Sequence, residues 1–222
     1  RVRAQVESGL RSDAQDPNEI AGETFSKLAF GDHPYGSDYK GTLESVAALT
    51  REDMIKAHAN VMARDRIFVG AVGDITTEEL GPMLDELLGD LPAEGAPMPP
   101  EAPFLAEGGL TVVPFDAPQS VAYFGHDGIA RDDDDFFAAY ILNEILGGGG
   151  FGSRLMEEVR VKRGLTYGIY TYLAPKDLGA LYLGSVSSAN ARVAEAIEVV
   201  KDQWREIAEN GVTAEELASA QT

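Results

Sequence analysis

A proline-rich segment near the middle of the chain constrains its architecture more than any other feature. Residues 91–103 contain five prolines, namely Pro92, Pro97, Pro99, Pro100 and Pro103. Proline fixes φ and lacks an N–H group, so a series of prolines excludes helix interiors and favours extended structure. We therefore predict a linker over residues 91–108 that separates a first domain (residues 1–90) from a second (residues 109–222).

The composition is that of a globular protein and narrows the classes of partner. The 222 residues are 44% hydrophobic and 25% charged, and this length suffices for one large domain or two modest ones. No run of eighteen apolar residues occurs, so we expect no membrane span. The formal charge of -19 disfavours nucleic acid and favours cationic ligands such as basic peptides. An acidic surface that serves only solubility is the alternative. Both ends read as helix interiors, so we expect a fragment of a longer protein.

Local patterns predict an α+β fold, with a mostly helical first part and a mixed second part. Threonine followed by acidic residues is typical of a helix start, and it occurs at Thr50, Thr76 and Thr213. Apolar residues at helical spacing predict further helices over residues 18–30 and 190–210. Short apolar runs bounded by turn residues predict strands over residues 67–73, 110–115, 120–125, 165–174 and 179–187.

The usual catalytic and metal-binding patterns do not occur in the chain. His33, His58 and His126 do not have metal-ligand spacing, and the sequence contains no cysteine. The Gly-x-Ser-x-Gly context of a hydrolytic triad is also missing. The four aspartates 132–135 lack the alternating pattern of a calcium loop and precede an apolar helix. They therefore read as a charged first turn.

The most informative stretch for function begins at Gly147–Gly150 and continues to Tyr167. It lacks the lysine of a phosphate loop and follows a helix, so a nucleotide site is not indicated. Arg160 near a helix end and Tyr167 at a strand start offer donors that can converge on one extended ligand. We expect Gly164 to cap the intervening helix and Tyr167 to share a face with Leu165, Ile169 and Thr171. From the residues alone, structural roles for Arg160, Tyr167 and the glycines stay open.

The residues from Leu146 to Tyr167 resemble the second-domain signature of the pitrilysin/insulinase family of zinc peptidases, which includes the mitochondrial processing peptidase. The family's Arg/Tyr pair, seven residues apart, matches Arg160 and Tyr167. The tail of the family's first domain is similar to residues 30–36, 41–42, 44–46, 49–53 and 69–74. The resemblance thus covers essentially the whole chain in the right order.

This resemblance implies repeated α+β domains, each an antiparallel-rich sheet backed by helices. Residues 1–90 would be the C-terminal portion of one domain and residues 109–222 the N-terminal portion of the next. In the family, zinc is bound by an inverted His-x-x-Glu-His motif and a distal glutamate of the first domain. The Arg/Tyr pair of the other half, Arg160 and Tyr167 in this chain, holds the peptide backbone and helps to stabilise the transition state. Gly147–Gly150 would give the substrate loop room.

The chain departs from the family pattern at the metal. The inverted motif is missing, and the distal glutamate position falls near Gly9, with Glu7 about half a helical turn out of register. The resemblance is therefore greatest to the non-catalytic Arg/Tyr-bearing subunit of bacterial two-subunit peptidases. It implies no metal or cofactor in this chain, inactivity of the chain alone, and a homologous zinc-bearing partner subunit. It also implies peptide substrates, basic or unfolded, and a periplasmic location.

Two alternatives to this interpretation stay open. One is a non-enzymatic scaffold, like the core subunits of respiratory complexes that descend from the family. The other is an active zinc endopeptidase whose metal motif precedes this segment, with Glu7 as a ligand. Retention of both Arg160 and Tyr167 favours the substrate-holding interpretation over the scaffold.

Overall fold

A computed structural model describes residues 1–221 of the chain. Its eight α-helices and three strands, in these residues, confirm the predicted α+β class. The helices are α1 (Val2–Asp13), α2 (Pro17–Phe30), α3 (Leu43–Ala48), α4 (Arg51–Val61), α5 (Thr77–Leu88), α6 (Phe136–Asn143), α7 (Val193–Asn210) and α8 (Ala214–Ala220). The strands are β1 (Gln119–Asp127), β2 (Ile169–Lys176) and β3 (Gly179–Ala189). Short 3-10 turns cover Pro34–Gly36, Arg64–Arg66 and Gly150–Gly152, and π-helical segments cover Glu144–Gly148 and Met156–Val161.

The chain forms two compact units, which differ in sequence range from the predicted domains. The first unit contains residues 1–7 and 42–99, and the second contains residues 8–41 and the chain from residue 100 onward. The predicted bounds of 1–90, 91–108 and 109–222 concern the domains of a longer protein and stay a prediction.

The first unit confirms two predicted helix starts. Thr50 and Thr76 each accept a hydrogen bond from the N–H three residues on, and the side chain at that position bonds back to the cap. The strand predicted over residues 67–73 is wrong. This run forms no strand, and Phe68 is 97% exposed. An apolar run becomes a strand only when a neighbour supplies ladder hydrogen bonds, and nothing in residues 1–221 pairs with it.

The second unit contains one antiparallel sheet with the strand order β1-β3-β2. Three of its four predicted strands are confirmed, although β2 starts only at Ile169. The strand predicted over residues 110–115 is wrong, because this run also has no partner among the described residues and exposes Leu110 and Val112. Thr213 caps α8 as predicted.

Helices cover both faces of this sheet. Alternate residues of β3 point to opposite sides: Tyr182 and Val186 join the larger core, whereas Leu181 and Leu183 pack with Phe30 of α2. The larger core also receives buried side chains from the segment between α6 and β2 and from α7, namely Leu146, Leu155, Met156, Val159, Leu165, Ala196, Val199 and Val200. The segment with the glycine signature is therefore anchored directly in the core.

Within residues 1–221, no helix combines the length and the apolar character that a membrane crossing requires.

Candidate functional site

The glycine loop (residues 147–152) begins within the π-helical segment that continues α6. The Gly149 N–H donates to the Glu144 carbonyl, five residues back, at 2.9 Å. Gly147 lies so close to β2 that an added Cβ would be 2.4 Å from Thr171 Oγ1. A Cβ added at Gly148 would lie 2.2 Å from the side-chain amide nitrogen of Asn143. Only glycine fits these positions, because real Cβ atoms do not approach so closely.

The fourth glycine is required for a different reason. Gly150 has φ +60°, in the left-handed region, and an added Cβ there would meet nothing. At Gly149 an added Cβ would lie 2.6 Å from the Glu144 carbonyl oxygen, so close packing and one backbone turn together explain all four glycines of the run. Their expected role in giving a substrate loop room stays a prediction.

A buried hydrogen-bond network lies directly beneath the glycine loop. The Thr171 hydroxyl donates to Asn143 Oδ1 at 2.9 Å and accepts from the Tyr182 hydroxyl at 3.1 Å. All three side chains are buried, and burial raises the pKa of Tyr182 to about 12. The network joins the last residue of α6 to the edge strand β2 and the central strand β3, so it fixes the base on which the loop lies.

Arg160 lies over an aromatic ring of the glycine loop. Its guanidinium carbon is 4.6 Å from the ring centroid of Phe151, which is cation–π distance. Its helical turn is held by the buried Met156 and Val159. In the described part of the chain, no ion pair or side-chain hydrogen bond engages this guanidinium. Its donors are therefore available to a ligand.

The neighbouring arginines of the signature have structural partners instead. Arg154 forms a two-pronged ion pair with Glu216 and also donates to the Gly211 carbonyl at 3.2 Å. Arg163 donates to the Glu158 carboxylate at 2.6 Å and to its carbonyl at 2.7 Å. Hydrogen bonds from Lys162 and Arg163 lower the pKa of Glu158. The contrast makes Arg160 the arginine of this segment that is suited to bind something else.

Tyr167 is presented outward by a clamped turn. Gly164 has φ +58° and its N–H donates to the Arg160 carbonyl at 2.8 Å, which confirms the predicted helix cap. Thr166 Oγ1 lies 2.6 Å from the Ser187 carbonyl, and Ser188 Oγ donates to the Leu165 carbonyl at 2.6 Å. Both bonds tie the turn to β3, while the Tyr167 side chain is 85% exposed.

The predicted common face of Tyr167 with Leu165, Ile169 and Thr171 is wrong. Those three residues are buried, whereas Tyr167 points to solvent. The two-residue alternation of a strand does not reach Tyr167, because residues 165–168 form a turn and β2 begins at Ile169.

The structure brings Arg160 to the glycine loop, but it does not join Arg160 to Tyr167. In residues 1–221 no hydrogen bond links the two side chains. The contact that sequence reasoning missed is that of Phe151 with Arg160. Its only signal in the sequence is an aromatic residue placed directly after four glycines.

The zinc that the resemblance implies for the family does not fit the side chains present. Among residues 1–221, no three histidine, aspartate or glutamate side chains form a group able to hold a metal ion. His33 is instead engaged in its own turn, where Nδ1 accepts from the Tyr35 N–H at 3.1 Å and Nε2 lies 3.0 Å from the Pro100 carbonyl.

The fold and its signature are those of a peptidase-family domain of the α+β class. The chain matches the family model described as the peptidase M16 inactive domain over residues 48–222, and it belongs to this family. The resemblance to zinc peptidases is thereby confirmed.

Relatives and solved structures agree with this assignment. The chain is 32% identical to an uncharacterised zinc protease of Mycobacterium leprae over 221 residues, which are 96% of this chain and 48% of that protein. It is 27% identical over 221 residues to a Helicobacter pylori protein named a non-peptidase homologue, which covers 99% of this chain and 51% of that protein. The crystal structure of a peptidase M16 inactive domain from Pseudomonas fluorescens superimposes with a TM-score of 0.93 and 30% identity, over 100% of this chain and 54% of that one. The chain therefore spans about half the length of these relatives.

Proposed function

We propose that this chain belongs to a non-catalytic subunit of a two-subunit peptidase and holds the backbone of the substrate peptide. A homologous zinc-bearing subunit would supply the metal and the general base, in a heterodimer. The observation that carries the proposal is the state of Arg160, whose donors are left free while the arginines beside it are paired with carboxylates. The periplasmic location is part of the same proposal.

The chemistry of the two side chains suits an extended peptide. The guanidinium of Arg160 is a planar fork of N–H donors that matches the carbonyl oxygens of a backbone. The exposed hydroxyl of Tyr167 can donate to a carbonyl oxygen and more strongly to the oxyanion that develops from it. Both act by hydrogen bonding, so they can support a reaction whose nucleophile is generated elsewhere.

The framework and the charge of the chain also favour this function. Arg160 and Tyr167 follow segments anchored in the core, so little conformational freedom is lost when a peptide binds. The formal charge of -19 would attract basic peptides, and an extended backbone requires substrates that are at least locally unfolded.

The test is a peptide-cleavage assay with the full-length subunit mixed with its zinc-bearing homologue. We expect Arg160→Ala and Tyr167→Phe each to lower kcat by about 100- to 1,000-fold, the range measured when a single oxyanion-hole donor is removed. Arg163→Ala is the matched control, since Arg163 lies three residues after Arg160, just beyond the same helical segment, but is bonded to Glu158. Its rate should stay close to that of the unmodified mixture. Unchanged rates for the first two variants would refute the role.

The same mixture separates the two alternatives. Cleavage by the full-length protein alone, with one zinc ion per chain in a metal analysis, would show an active endopeptidase. A full-length protein that neither binds peptide nor stimulates the zinc-bearing homologue would be a scaffold.

A further inference from the structure

Phe151 is an exposed aromatic residue that directly precedes a segment anchored in the core. Its side chain is 73% exposed, whereas Ser153 and Leu155 close behind it are fully buried. Phe151 belongs to neither of the two core clusters. Core packing therefore gives no reason for an aromatic side chain at this position. Its one described ring contact is with the guanidinium of Arg160 at 4.6 Å.

Both partners of this contact are held by fixed backbone. The Ser153 hydroxyl donates to the Gly150 carbonyl at 2.8 Å, and the Ser153 N–H donates to the same oxygen at 3.2 Å. These two bonds close the turn that carries Phe151. Arg160 follows the buried Val159, and its carbonyl accepts from the Gly164 N–H. The ring and the cation thus meet because the fold places them together.

An aromatic partner restrains an arginine differently from a carboxylate. A carboxylate, such as that of Glu216 beside Arg154, accepts hydrogen bonds and so occupies the N–H groups of the guanidinium. A ring attracts the cation through its π face and accepts no conventional hydrogen bond. Arg160 over Phe151 is therefore restrained in position while its donors stay free for carbonyl oxygens.

We propose that Phe151 is a positioning residue for Arg160 and acts on the substrate peptide through it. This inference rests on the proposed function, because it assumes that Arg160 binds the peptide backbone. It adds a separate claim about Phe151. The contribution of Arg160 to peptide affinity depends on an aromatic ring at position 151, and another apolar side chain would not replace it. The contact is exposed, so its loss should weaken peptide affinity by about two- to five-fold.

The experiment measures the affinity of the full-length subunit for a fluorescently labelled, unfolded basic peptide. Phe151→Leu should weaken binding two- to five-fold, and Phe151→Trp should restore it. In an Arg160→Ala background, Phe151→Leu should have no further effect, because the ring then has no cation to hold. Phe137→Leu is the matched control, since Phe137 is equally exposed and its one described ring contact is with Phe136. Its affinity should not change.

A second readout needs no peptide. In the full-length subunit labelled at arginine, the Arg160 side-chain protons should show the upfield shift that an aromatic ring current causes. The shift should vanish in Phe151→Leu and persist in Phe151→Trp. The same spectrum verifies that the Phe151→Leu variant is folded, because the chemical shifts of the other arginine side chains should not change.

The outcomes distinguish the two proposals. If Arg160→Ala leaves peptide affinity unchanged, the proposed function fails whatever Phe151 does. If Arg160→Ala weakens binding but Phe151→Leu does not, the positioning role fails and the proposed function stands. An equal effect of Phe151→Leu with and without Arg160 would also overturn the positioning role.

Discussion

Replacement of Thr171 by valine should destabilise the second unit strongly, although valine has nearly the same shape. Thr171 is 2% exposed, and its hydroxyl is the middle of the buried chain from Tyr182 to Asn143. Valine can neither donate nor accept. The substitution therefore leaves the Asn143 carbonyl oxygen without its donor and the Tyr182 hydroxyl without its acceptor, both away from water.

The magnitude follows from these two orphaned groups. A buried polar group that loses its partner costs about 1–3 kcal/mol, so Thr171→Val should lower the free energy of unfolding by about 2–5 kcal/mol. Tyr182→Phe removes one hydrogen bond together with its donor and leaves Thr171 bonded to Asn143, so it should cost only about 1 kcal/mol. In the valine background the Tyr182 hydroxyl is already unpaired. The double variant should therefore be more stable than Thr171→Val alone.

Urea unfolding, monitored by tryptophan fluorescence, measures these differences in the free energy of unfolding close to the substituted residues. Trp204 is the only tryptophan in the sequence, and its ring centroid lies 5.3 Å from that of Tyr182. Tyr170→Phe, at an exposed position of β2, is the control and should stay within about 0.5 kcal/mol of the unmodified protein. A double variant less stable than Thr171→Val by the full increment of Tyr182→Phe would refute the reasoning.

Two further predictions concern the framework around the site. The hydrogen bonds from Arg154 lower the pKa of Glu216 from 4.5 to about 2, so the stabilisation is complete above pH 4.5 and is lost as the pH falls towards 2. Glu216→Gln should therefore lower the free energy of unfolding by on the order of 1–2 kcal/mol at neutral pH. This difference between the variant and the unmodified protein should vanish near pH 2. A difference that does not depend on pH would contradict the argument. Gly164→Ala, at φ +58°, should lower the free energy of unfolding by about 1 kcal/mol. The control Gly81→Ala, in α5, should leave this free energy unchanged or raise it. Equal effects of the two substitutions would contradict the argument from φ.

The structural features that the sequence predicted best are those that depend on a few adjacent residues. The cap at Thr50 is complete within four positions, since Asp53 both donates to and accepts from it. Gly164 likewise ends a helical turn that lies directly before it. Strands depend on a partner that can be anywhere in the chain. Periodicity therefore identified residues 67–73 and 110–115 as strand-like but could not show that no neighbour in residues 1–221 pairs with them.

The same distinction explains the candidate site. The residue types of Arg160 and Tyr167 suggested binding donors, and this chemistry needs no fold to be recognised. The outward position of Tyr167 could not be predicted, because it is set by bonds to Ser187 and Ser188 on β3, some twenty residues away. The stacking of Arg160 on Phe151 depends on the intervening turn, which brings residues nine positions apart into contact.

The close packing of the glycine loop changes how a peptide would meet this surface. A flexible loop would have to be ordered when the ligand binds, and that entropy would weaken the affinity. Gly147 instead lies against Thr171, and the Gly150 carbonyl is bonded twice to Ser153, so the ring of Phe151 is already in place. Substitutions in the buried network beneath the loop should therefore alter peptide affinity as well as stability. Thr171 is itself buried, yet it supports the glycine loop that carries Phe151, over which Arg160 lies.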